Sequence, residues 1–88
     1  MVGVSSRPRI AVFGGDARQA AKWSSLGEPV FFCGRRHGGN GELRRLESAL
    51  RAGRLDRVVI LARWNGHSAT VRVRRLCRLR GVPVVVVP

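Results

Sequence analysis

The chain has 88 residues, and its 17 basic against 5 acidic side chains give a net charge of +12. A hydrophobic fraction of 44% is ordinary for a folded protein, so the composition excludes a disordered chain, and the length allows one small domain. No apolar run approaches the roughly 18 residues of a membrane-spanning helix, so we expect no membrane association of that kind.

The positive charge is carried by arginine, because Lys22 is the only lysine. A guanidinium group binds carboxylate or phosphate through two parallel hydrogen bonds, so the excess predicts an anionic partner. An arginine-rich proteome would explain the ratio of Arg to Lys as well, and this alternative stays open. The cysteines, Cys33 and Cys77, lack CxxC spacing and are interpreted as buried free thiols of a cytoplasmic protein.

The sequence predicts a flexible tail over residues 1–8 and one domain over residues 9–88. In the first half of the chain, an apolar strand over residues 10–13 leads into Gly14 and Gly15, and Asp16 then begins a first helix that ends near residue 26. A second strand covers residues 30–33. A loop rich in glycine follows it and contains Arg35 and Arg36.

The second half predicts two helices and two strands. Leucines at 43, 46 and 50 share one face of a helix over residues 42–52, and Glu47 falls opposite them, four residues before Arg51. Consecutive apolar residues predict a strand over residues 57–62 that is covered on both faces. A third helix over residues 68–80 ends at Gly81, and a last strand covers residues 82–87.

Strands and helices alternate throughout, which predicts an α/β fold: a single Rossmann-like domain with three helices and a four-stranded parallel sheet in the order 2-1-3-4. This order places the valine-rich last strand at an edge of the sheet. Because an uncovered apolar edge invites association, we predict a homodimer through this strand or through Val71 and Leu79 of the third helix.

Three loops follow strands of this parallel sheet and should therefore converge at its carboxyl edge. The candidate site residues that they contribute are Gly14, Gly15, Arg35, Arg36, Arg63, Trp64, His67 and Ser68. The glycine pair either brings backbone amides close to a ligand or simply forms a tight turn. Neither a GxGxxG fingerprint nor a P-loop lysine accompanies it, so the sequence gives little support for a dinucleotide or triphosphate site.

His67 is the candidate ligand for a metal, and Ser68 beside it is a candidate helix cap. A histidine here could equally serve in acid–base catalysis or bond to the loop backbone. No nucleophile or pair of carboxylates accompanies it, which favours a non-enzymatic role over a small enzyme that uses His67 and an oxyanion site at Gly14 and Gly15.

Five short motifs resemble those of one bacterial family. They are a strand followed by Gly14-Gly15-Asp16, then Asp56-Arg57-Val58-Val59-Ile60, Gly66-His67-Ser68, Arg75-Leu76-Cys77 and Gly81-Val82-Pro83-Val84. The chain resembles the family called domain of unknown function 2325 over residues 9–87. The resemblance implies a small Rossmann-like domain whose signature histidine corresponds to His67, which in some members would bind haem. The chain departs from the family at Ala62-Arg63-Trp64, where a polar strand end is usual, so the resemblance leaves the ligand open.

Haem requires a neutral imidazole, a flat apolar slot and cations for two propionates. His67 would supply the axial ligand, Trp64 part of the slot, and Arg35, Arg36 and Arg63 the cations. We therefore predict a ligand-binding or sensor domain for an anionic small ligand, with haem, able to bind dioxygen, as the leading ligand. The alternative is binding of nucleic acid, a nucleotide or phosphate through the basic surface, with nucleic acid held nonspecifically.

Overall fold

The computed structural model describes residues 8–14, 22–25, 27–32 and 41–88. Within these ranges the elements are β1 (Arg9–Phe13), β2 (Glu28–Phe32), α1 (Gly41–Arg51), β3 (Arg57–Leu61), a 3-10 turn (Ala62–Trp64), α2 (His67–Arg80) and β4 (Val84–Val87). The described residues thus contain two α-helices. The first predicted helix lies outside them except for residues 22–25, which form a turn.

The four strands form one parallel sheet in the order β2-β1-β3-β4, which confirms the predicted α/β class, strand order and edge position of the valine strand. Ala11 of β1 lies opposite Val30 on one side and Val58 on the other. Because β1 and β3 are the central strands, their apolar residues are buried on both faces of the sheet.

Successive side chains of a strand point to opposite faces, and this alternation produces two apolar clusters. The first cluster joins Phe13 and Ile60 of the sheet to Leu46 of α1 and Val73 of α2. The second cluster, on the opposite face, contains Ile10, Val12, Val59 and Leu61, with Trp23, Phe31, Trp64 and Val87 packed against it. Both described helices therefore cover the same face, as expected when two successive right-handed crossovers move in one direction across a sheet.

The end of α2 is determined by Gly81, whose φ of 68° lies in the left-handed region that residues with a Cβ rarely adopt. Its amide donates to the Arg78 carbonyl at 3.3 Å, and the Val82 amide donates to the Cys77 carbonyl at 2.9 Å. These two bonds satisfy carbonyls of the last helical turn. Val82 belongs to this cap, which is why β4 begins at Val84 rather than at the predicted residue 82.

Glu47 of α1 does not lie on the solvent face that its helical position predicts, and its partner is Arg72 rather than Arg51. Its residue surface is only 6% exposed, and Nη2 of Arg72 in α2 donates to both carboxylate oxygens at 3.0 and 2.9 Å. The reason is tertiary: α2 packs beside α1 on this side. This packing covers the carboxylate and supplies a cation from the neighbouring helix.

Candidate functional site at the carboxyl edge of the sheet

Asn65 joins the carboxyl ends of the two central strands. Its side-chain Nδ2 donates to the carbonyl oxygen of Phe13 at the end of β1 and to that of Leu61 at the end of β3, each at 2.9 Å. In the order β2-β1-β3-β4 the chain leaves β1 and β3 toward opposite sides, so this position is the topological switch point of the sheet. Ligands of open α/β sheets characteristically bind at this point.

The Oδ1 atom of the Asn65 amide has no hydrogen-bond donor among the described residues. Both bonds of Nδ2 go to carbonyl oxygens, which leaves Oδ1 as an acceptor that is buried and without a hydrogen-bond partner among the described residues. Buried acceptors are nearly always satisfied, so a donor is expected beside Oδ1. The sequence places Asn65 in one of the converging loops but predicts no role for it. The available signal was an asparagine just after a strand, where this residue type often bonds to backbone.

Gly14 packs directly on the loop that contains Asn65. Its φ is +114°, and its amide donates to the Phe32 carbonyl at 2.8 Å. A Cβ at this position would lie 2.7 Å from Asn65 Nδ2 and 3.0 Å from Trp64 Cβ. The glycine pair is interpreted either as a ligand contact or as a tight turn. The surroundings of Gly14 support the tight turn, because Asn65 and Trp64 occupy the space that a side chain would fill.

A cleft of about 220 Å³ lies beside the 3-10 turn, at the carboxyl ends of β3 and β4. Its lining residues are Lys22, Leu61, Arg63, Trp64, Val87 and Pro88. Arg63 and Lys22 are exposed, whereas Trp64 is half-buried and packs against the second cluster. The cleft therefore combines two cations, an indole ring and apolar side chains. The sequence predicted Arg63 and Trp64 but not Lys22, whose approach depends on the tertiary fold.

His67 and Ser68 are not among the residues that line this cleft. Both are exposed and occupy the first two positions of α2, which packs on the first cluster, whereas Trp64 packs on the second. The structure thus brings Arg63 and Trp64 together with Lys22, and neither His67 nor Ser68 lines that cleft. The predicted capping role of Ser68 is wrong. Gly66 occupies the N-cap position of α2 and has no side chain to cap it; its carbonyl accepts hydrogen bonds from the Thr70 amide and hydroxyl at 3.1 and 3.2 Å.

The remaining predicted site residues, Gly15, Arg35 and Arg36, lie outside the described residues, as does Cys33. The cleft as described is smaller than the roughly 300–1,000 Å³ of most ligand pockets, and too small to enclose a haem. Within the described part of the chain, no three His, Cys, Asp or Glu side chains are grouped so that they could hold a metal ion. This finding does not bear on haem, which needs a single protein ligand.

Cys77 belongs to the core and not to the site. It is completely buried in the first cluster as a free thiol, as the sequence predicted. Burial raises the pKa of this thiol from 9.0 to about 11, because the charged thiolate would lose its hydration. At neutral pH Cys77 therefore stays protonated and acts as a small apolar side chain.

Comparison of the chain with protein-family models, with curated proteins and with solved structures found no match. A search of the described helices for membrane spans found none that is long and apolar enough to cross a bilayer.

Proposed function

We propose that the chain is a non-enzymatic ligand-binding or sensor domain for an anionic small ligand, bound at the carboxyl edge of its sheet. The observation that carries this proposal is the cleft that Lys22, Arg63 and Trp64 line together. The two cations would hold a carboxylate or phosphate, and the indole ring would pack against a flat apolar group.

Benzoate, a small planar carboxylate, tests the proposal. In ¹H–¹⁵N spectra recorded at low salt, benzoate should shift the Trp64 indole resonance and the backbone amides of Leu61 and Val87. The double variant Lys22→Gln/Arg63→Gln should bind benzoate at least about tenfold more weakly, because it removes charge-assisted hydrogen bonds. Arg74→Gln/Arg75→Gln is the matched control, since it removes the same charge from the exposed face of α2. Equal weakening in both double variants would show unspecific attraction and refute the site.

Haem remains the narrower proposal for the ligand, with His67 as the residue that holds iron. Two features support it: the imidazole is exposed at the first position of α2, and the cations at the same edge suit propionates. The described cleft does not enclose a haem by itself. The proposal therefore requires Arg35 and Arg36, which lie outside the described residues, or a second copy of the chain, to complete the slot.

Hemin and its iron-free analogue protoporphyrin IX separate the contribution of His67 from that of the cations. Hemin should give a shifted Soret band, and His67→Ala should remove this shift while leaving protoporphyrin binding unchanged. Lys22→Gln/Arg63→Gln should weaken the binding of both porphyrins. A hemin spectrum that His67→Ala leaves unaltered would refute ligation by His67.

Nucleic-acid or phosphate binding is the second candidate, and the exposed arginines of α2 favour it. Arg74, Arg75 and Arg78 are exposed, and in the described part of the chain they have no acidic partner. Arg72, by contrast, is paired with Glu47. Duplex binding should weaken with salt. Replacing the three exposed arginines by Gln should reduce the slope of log K against log salt by about 1 for each phosphate that an arginine no longer neutralises.

We further propose that the domain is Rossmann-like, that it belongs to domain of unknown function 2325, and that it acts as a homodimer in the cytoplasm. The parallel sheet supports the first point, and the Gly66-His67-Ser68 motif supports the second. Val85 and Val86 on the edge strand β4 are 48% and 37% exposed, which supports a dimer through that strand. The buried free thiol of Cys77 is typical of a reducing compartment.

A further inference from the structure

A second and larger groove lies between β2 and α1. Its volume is about 490 Å³, within the range of pockets that bind small molecules. Its lining residues are Arg9, Val30, Phe32, Arg45, Ser48, Ala49, Ala52, Arg54 and Leu55. It shares no lining residue with the carboxyl-edge cleft and is therefore independent of the function proposed above.

The floor of this groove is apolar and well supported. Phe32 and Leu55 are buried in the first cluster, and Val30 and Ala49 pack against that cluster while remaining half-buried. Val30 and Phe32 are two residues apart on β2, so both point to the face that α1 covers. An apolar chain or ring lying on this floor would remove its exposed surface from water, which favours binding.

The rim of the groove is basic. Arg9 and Arg54 are exposed, and their guanidinium groups have no acidic partner among the described residues. The nearby carboxylate of Asp56 is bonded to the backbone amide of Arg9 at 2.8 Å and not to its guanidinium.

Arg45 is already engaged. It pairs with Glu42, and its guanidinium carbon lies 5.2 Å from the centre of the Phe32 ring. This leaves Arg9 and Arg54 as the two lining cations that can bind an anion.

We propose that this groove binds a free amphipathic anion. Arg9 and Arg54 hold its carboxylate or phosphate group, and the apolar body lies over Val30, Ala49 and Leu55. Each part of the proposal has its own structural basis: the cations explain a preference for an anion, and the floor explains a preference for an apolar tail.

Octanoate, 1-octanol and acetate test the two parts separately, with affinities taken from NMR titration of the Ala49 and Leu55 amides. Octanoate should bind at least about tenfold more tightly than 1-octanol, which lacks the charge, and than acetate, which lacks the tail. The double variant Arg9→Gln/Arg54→Gln should bind octanoate no better than 1-octanol. Ala49→Leu, which fills the groove without a change of charge, should weaken the binding of both.

Arg74→Gln/Arg78→Gln is the matched control, because it removes the same charge from exposed positions on α2. It should leave octanoate affinity within about twofold of the original value. Lys22→Gln/Arg63→Gln should also leave octanoate binding unchanged, so failure at one site is distinguishable from failure at the other. Circular dichroism establishes that each variant is folded.

Three results would overturn the proposal. The first is equal weakening of octanoate binding in the groove and control double variants, and the second is unchanged binding in folded Ala49→Leu. The third is binding to phosphatidylglycerol vesicles without any binding of octanoate, which would assign the surface to a bilayer rather than to a free ligand.

Discussion

At the scale of single residues, two independent constraints act on Gly14. Its φ of +114° is unfavourable for any residue with a side chain, and a Cβ would meet Asn65 Nδ2 at 2.7 Å. We expect Gly14→Ala to lower the free energy of unfolding by about 2–4 kcal/mol, measured by urea denaturation.

Gly41→Ala is the matched control for this substitution. A Cβ at Gly41, the first residue of α1, would meet no atom within 4 Å. Its effect should therefore stay within about 0.5 kcal/mol. If the two variants were equally stable, Gly14 would not pack against the Asn65 loop in solution.

The same turn shows what a residue pattern can and cannot predict. A glycine directly after an apolar strand marks a turn, so the sequence identifies Gly14 as special. It does not predict the role of Asn65, whose amide bonds to a carbonyl 52 residues away. Only the pairing of β1 with β3 brings those two groups together.

At the scale of elements, Arg72 and Glu47 tie α2 to α1. The Glu47 side chain is 8% exposed, whereas that of Arg72 is 59% exposed. We expect Arg72→Ala to destabilise the protein by about 1–3 kcal/mol, because it leaves a buried carboxylate without its donor. Chemical denaturation measures this change.

Arg75→Ala provides the control, since Arg75 is exposed and has no acidic partner in the described part of the chain. Its effect should be within about 0.5 kcal/mol. In the double variant Glu47→Leu/Arg72→Ala much of the stability that Arg72→Ala removes should be recovered, because no buried charge remains. Additive effects of the two substitutions would argue against the ion pair.

The helices themselves were predictable, because the spacing of Leu43, Leu46 and Leu50 and the terminal glycines are local signals. The predicted bounds, residues 42–52 for α1 and 68–80 for α2, differ from those of the structure by at most one residue at each end. The environment of Glu47 was not predictable, since helical spacing describes one helix and cannot show where the next one packs.

At the scale of the whole molecule, the edge strand β4 offers a surface for dimerisation. It pairs with β3, and no strand among the described residues lies on its other side. We expect the protein to be a dimer in sedimentation experiments at micromolar concentration, and Val85→Lys/Val86→Lys to convert it to a monomer, because edge lysines oppose strand pairing.

Leu79→Lys distinguishes the two predicted interfaces. Leu79 is 75% exposed on α2 and is not part of the edge strand, so its substitution should leave a dimer through β4 intact. If Leu79→Lys dissociated the dimer and Val85→Lys/Val86→Lys did not, the interface would lie on α2 rather than on β4. A monomeric unmodified protein would refute the dimer itself.

The sequence by itself determined the α/β class, the four parallel strands, their order and the glycine ends of the helices. Each of these rests on local periodicity or on general rules for the connection of strands. The tertiary structure alone decided that Asn65 joins the central strands and that Lys22 and Trp64, but not His67, line one cleft. It also decided that Arg9 and Arg54 border a separate apolar groove. Some of these relations join residues that are distant along the chain, and others depend on which face of the sheet an element covers. No local pattern encodes either kind.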